Sequence, residues 1–125
     1  MSAAAPRVRV VGPRGQIVGE VEEARTAWTR MVGLLGTSTL RRGEGLLLAP
    51  AWSIHTWFMR IPIDVVFLDV DGRVVRVCPE LPAWRLVSGT RKARTVLEFG
   101  AGTLATTPLA PGDLVRLDRL AVTER

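Results

Sequence analysis

The 125-residue chain contains one cysteine, one histidine and one lysine, and neither tyrosine nor asparagine. Each scarcity excludes something. A single thiol, Cys78, allows no internal disulfide and no multi-cysteine zinc or iron–sulfur site. A single imidazole, His55, allows no His-rich metal centre and no zincin motif. No run approaches the ~18 apolar residues that a bilayer-spanning helix needs, so no membrane span is expected. The first residues lack the apolar core of a secretory leader, because Arg7, Arg9 and Arg14 interrupt them. Gly-x-Ser-x-Gly, Walker and dinucleotide fingerprints are missing too. The expectation is a cytoplasmic protein with no metal and no cofactor.

Hydrophobic residues make up 47% of the chain and charged residues 23%, as in an ordinary folded domain. The length suits one domain spanning residues 1–125. The net charge is +5, and arginine supplies all of the positive charge except Lys92. Arginine-rich, asparagine-free composition is how a GC-rich genome writes a normal protein, so the charge alone does not argue for a nucleic-acid partner, and none is expected. Residues 1–62 hold 8 basic and 4 acidic side chains, and residues 63–125 hold 9 and 8. The one tight basic cluster is Arg91-Lys92 with Arg94 nearby.

Arg7 to Val11 alternates as a half-exposed strand does, Gly12 to Gly15 is a turn, and Gln16 to Val21 returns, predicting an N-terminal hairpin over 7–21. Ala24, Ala27, Trp28, Met31 and Leu35 recur at helical spacing, predicting one early helix that Gly33 and Gly36 end. Beyond Leu46 the pattern is β. Leu46 to Leu48 is a short apolar run. Asp64 to Val70 reads as a strand covered on both faces, Asp71-Gly72 as a hairpin tip, and Arg73 to Cys78 as its partner, closed by Pro79. Trp84 to Val87, Arg94 to Phe99 and Leu114 to Leu120 are further strands, with a loop or one helical turn between Gly100 and Pro108. Punctuation by Gly and Pro, without strand–helix alternation, predicts a mostly β (α+β) fold: an antiparallel barrel or rolled sheet with one early helix.

His55 shares one side of an extended segment with Ser53, Trp57 and Met59, while Ile54, Thr56, Phe58 and Arg60 share the other. An imidazole beside an aromatic wall can line a pocket, or it can be a partly buried, hydrogen-bonded histidine. Asp64 opens the most apolar strand, where a carboxylate needs a partner. Arg30, Arg60, His55 or backbone N–H groups could supply it. Asp69-Val-Asp71-Gly72 fails as a calcium loop, because the position that needs glycine is Val74. Cys78, in an apolar strand end, reads as buried filler.

The ordered pieces Ala24 and Arg30 before Gly33-Leu34, Gly45 to Leu48, Ile54 to Arg60, Pro62 to Asp69, Asp71-Gly72, Val96-Leu97-Glu98, Gly100 to Gly102 and Pro111-Gly112-Asp113 resemble a bacterial and archaeal family, domain of unknown function 192. The resemblance covers residues 24–118. Family members more often read Phe-Trp-Met-Lys-Asn-Thr in the central block, where this chain has His55-Thr-Trp-Phe-Met-Arg60. The resemblance implies a compact, largely β domain and implies no activity, cofactor or catalytic residue.

Three functional readings stay open. The first is a binding module whose pocket of Arg30, His55, Trp57, Asp64 and Glu98 holds a small polar or anionic ligand. The second is a hydrolase-like or acid–base enzyme using His55 with Asp64. The third is an accessory or interaction protein of an envelope or secretion system, with no small-molecule site.

Overall fold

The computed structural model describes residues 6–24, 42–56 and 61–121. Its strands are β1 (Arg7–Val11), β2 (Ile17–Ala24), β3 (Glu44–Leu48), β4 (Ser53–His55), β5 (Ile63–Leu68), β6 (Val74–Leu81), β7 (Leu86–Ser88), β8 (Thr95–Gly100) and β9 (Arg116–Arg119). One helical turn, α1 (Thr103–Thr106), follows β8. The expected early helix falls within residues 25–41, outside the described residues.

Seven strands make one sheet in the order β6-β5-β8-β3-β2-β1-β9, and β4 with β7 makes a separate two-stranded ribbon. Every pairing is antiparallel except β2 with β3. The sheet is therefore mixed, where sequence punctuation suggested antiparallel pairing throughout. The connection over residues 25–43 is long enough to return the chain to the same end of the sheet, which a parallel pair requires. The sheet is rolled and not closed. Its two edges are tied through residues 112–115, where Arg73 bridges Leu114 and the Val115 N–H donates to the Gly72 carbonyl at 2.9 Å.

The expected β5–β6 hairpin is present. Asp69 Oδ1 accepts the N–H groups of Asp71 and Arg73, each at 2.9 Å, and Gly72 takes the left-handed backbone at φ 88°. β6 runs on through Pro79 instead of stopping there. It is an edge strand, so a residue with no N–H costs the ladder nothing.

Both faces of the sheet are covered, which explains why all six residues of β5 are buried. One face packs Val8, Val10, Val66, Leu97 and Phe99 against Leu104, Leu109 and Val115. The other packs Ile63, Val65, Phe67 and Val96 against Ile54 and Val87 of the ribbon. The ribbon is thus a lid on the second face.

Candidate functional site

Asp64 is fully buried, and both its carboxylate oxygens are engaged. Oδ1 accepts the Glu80 N–H at 2.7 Å, and Oδ2 accepts the Leu104 N–H at 2.8 Å. The β5–β6 register explains the first bond. Val65 faces Cys78 and Ile63 faces Leu81, so Asp64 alone opposes Pro79 and Glu80 at a bulge. The bulge frees the Glu80 N–H from the ladder, and Glu80 sits at φ 50°. The second bond satisfies an N–H in the first turn of α1, whose cap residue, Gly102, has no side chain to do so. Asp64 therefore joins β5, β6 and α1. Its partners are backbone amides. A groove of about 320 Å³ opens beside it, walled by Val77, Pro79, Glu80, Leu104 and Leu109.

Register decides which expected residues meet. Glu98 of β8 lies directly opposite Val65, while Asp64 lies opposite Phe99. Directly opposed residues point the same way and successive residues point opposite ways. Asp64 consequently faces the side that holds Phe99 and Leu104, and Glu98 faces the ribbon side with Val65 and Leu46. The two carboxylates are separated by the sheet. Arg30 and Trp57 lie outside the described residues. His55, half-buried, ends β4 opposite Leu86.

The ribbon alternates cleanly. Ile54 and Val87 form an opposed pair and point into the core, so Ser53, His55, Leu86 and Ser88 lie on its outward side. Thr56, which sequence patterning did not single out, anchors one end. Its hydroxyl donates to the Pro82 carbonyl at 2.7 Å and accepts the Arg85 N–H at 2.9 Å. Its carbonyl accepts the Trp84 N–H at 3.0 Å. These bonds hold Trp84 in the left-handed region, at φ 64°. At the other end the Trp52 carbonyl accepts the Gly89 N–H. There a cleft of about 340 Å³ is lined by Trp52, Gly89, Thr90, Arg91 and Arg94. Arg94 is braced on its own turn, its guanidinium donating to the carbonyls of Arg91 and Ala93 at 2.9 and 2.8 Å. The cleft thus joins an exposed indole to two guanidinium groups. The clustering of Arg91, Lys92 and Arg94 was visible in the sequence; its juxtaposition with Trp52, some forty residues upstream, was not.

Among the described residues no group of three or more His, Cys, Asp and Glu side chains could hold a metal ion. Nor is any described helix long and apolar enough to cross a membrane.

A rolled mixed sheet lidded by a short ribbon defines a small β-rich domain. The chain belongs to the DUF192 family, an "Uncharacterized ACR" family, whose pattern matches residues 9–117 and so takes in the N-terminal hairpin from Arg9. It is 35% identical over 114 residues to a UPF0127 protein of Thermococcus gammatolerans, covering 86% of this chain and 70% of that one. It is 31% identical over 101 residues to the UPF0127 protein TK1120 of Thermococcus kodakarensis, covering 78% and 64% respectively. The chain thus spans about two thirds of the length of these relatives. A solved structure of a protein of unknown function from Novosphingobium aromaticivorans superposes with TM-score 0.74 at 26% identity, covering 91% of this chain and 94% of that one. A Sinorhizobium meliloti protein provisionally called a transcription regulator superposes with TM-score 0.76 at 23% identity, covering 94% and 96%, which shows a shared fold.

Proposed function

We propose that this domain is a binding module for a small anionic ligand that carries a flat apolar part, seated in the cleft beside Trp52. The observation that carries the reading is the placement of an exposed indole across from Arg91 and Arg94. A guanidinium supplies planar, permanently charged donors for a carboxylate or phosphate. An indole supplies a face for a ring. His55 enters the proposal as a residue of the same ribbon's outward side. Asp64 enters it as the clamp that holds β5, β6 and α1 together. The acid–base alternative lacks comparable support, because Asp64 spends both oxygens on backbone amides on the face away from the ribbon.

Calorimetric titration with aromatic carboxylates, sugar phosphates and nucleotides tests the reading. At least one class is expected to bind with a Kd of about 1 mM or tighter, and more weakly at high salt. Arg91→Gln should weaken that binding about tenfold, since a charge-assisted hydrogen bond is lost. Absence of binding across all three classes, or binding indifferent to Arg91→Gln, would remove the proposal.

A further inference from the structure

We infer that the outward side of the β4–β7 ribbon docks on an anionic lipid surface. The inference shares Trp52, Arg91 and Arg94 with the cleft, and what is new in it rests on Trp84, Arg85 and Leu86 at the far end of the ribbon. Six large hydrophobic side chains are exposed among the described residues: Ile17, Trp52, Val70, Trp84, Leu86 and Leu114. Three of them sit on the ribbon and its ends, with Trp52 62%, Trp84 59% and Leu86 69% exposed. Leu86 points outward, because its neighbour Val87 is committed to the core. Thr56 fixes the backbone that presents Trp84. The apolar groups are therefore carried on an ordered frame.

Charge accompanies them. Arg85, Arg91, Lys92 and Arg94 are all exposed. No acidic residue occurs from Pro82 to Leu97. Elsewhere the described cations are commonly paired, as Arg9 is with Glu20 and Arg119 with Glu23. An anionic bilayer surface matches both features at once. Indoles settle at the boundary between headgroups and hydrocarbon, leucine gains by entering the hydrocarbon, and each cation near the surface strengthens binding about fivefold. A single-stranded nucleic acid would use the indoles and guanidiniums, but an aliphatic Leu86 offers a base no stacking face. A second copy of the chain would bring the same cations against each other across a two-fold axis.

The test is co-sedimentation of the full chain with vesicles of phosphatidylcholine alone and of phosphatidylcholine mixed with phosphatidylglycerol. Binding should be at least tenfold stronger to the mixed vesicles and should be released by high salt. Arg85→Glu, which reverses one charge, should weaken it about twentyfold. Trp84→Ser combined with Leu86→Ser should weaken it tenfold or more. Leu86→Ser alone, at a side chain open to solvent, keeps the test available if the double variant fails to fold. None of these positions lines the cleft, so small-anion binding serves as the internal control and fails separately. Equal binding to neutral vesicles would overturn the inference, as would indifference to Leu86→Ser. Retention of a single-stranded oligonucleotide without vesicle binding would overturn it in favour of nucleic acid. A dimer that Leu86→Ser dissociates would overturn it in favour of self-association.

Discussion

Asp64 and Thr56 do similar work on opposite sides of the molecule. Each is completely buried, and each spends its side-chain oxygens on backbone groups distant in sequence. Asp64→Ala would strand one buried and one part-buried N–H group and should cost about 3 kcal/mol. Asp113→Ala removes one exposed bond, to the Ala110 N–H, and should cost about 1 kcal/mol or less. Thermal melts of the two variants check the difference, and equal losses would contradict the clamp. Thr56→Val keeps the shape and deletes the hydroxyl, so a loss of about 2 kcal/mol is expected, with Thr56→Ser recovering most of it. A carboxylate opening an apolar strand announces in the sequence that something must satisfy it. What satisfies it stays hidden, because a backbone amide has no letter of its own. The same reason hides Thr56, whose residue type is common and whose partners are carbonyls and amides.

At the level of elements, the sequence was most legible where local chemistry decides the outcome. Asp69 and Gly72 build the β5–β6 turn from side-chain and backbone preferences within five residues. Gly72→Ala should cost about 2 kcal/mol, because a side chain is strained at that φ and its Cβ would meet the Val115 carbonyl oxygen at 2.7 Å. Legibility failed where neighbours decide. Pro79 reads as a stop, and only its place on the free edge of β6 lets the strand continue. The parallel contact of β2 with β3 has no local signature at all. β9 gives a further measurable consequence. Arg116 Nε donates to Asp118 Oδ1 at 2.9 Å, and this bond holds the Asp118 carboxyl below its ordinary value of 3.8. A lowered folded-state pKa means that the contribution is present above the ordinary value and is lost as pH falls through the lowered one. NMR titration should find the Asp118 carboxyl depressed, and Arg116→Gln should move it back upward.

For the whole molecule, the order of strands ranks their stability. β5 and β8 lie inside the sheet and are buried along nearly all their length, whereas β6 is an edge. Hydrogen exchange should be slowest at residues 63–68 and 96–100, and faster along β6. β3 crosses β8 so closely that a Cβ at Gly45 would run into the Glu98 carbonyl oxygen. Gly45→Ala should therefore separate strands at the middle of the sheet and cost about 3 kcal/mol or more, read from a denaturant midpoint. The expected grouping of Asp64 with Glu98 shows the limit of reading at this scale. Alternation along a strand tells which residues share a side, but only the register between strands tells which side that is. One step of pairing put Asp64 and Glu98 back to back.

The clean alternation of the ribbon also makes it a two-sided cassette for protein engineering. Its inward letters, Ile54 and Val87, are bound to the packing of the second core, while Ser53, His55, Leu86 and Ser88 carry the outward side. A library varied at those four outward positions should yield mostly folded clones, and one varied at positions 54 and 87 should yield few. Recognition could then drift from ligand to ligand without the fold registering the change, which gives one compact scaffold room to serve many surfaces.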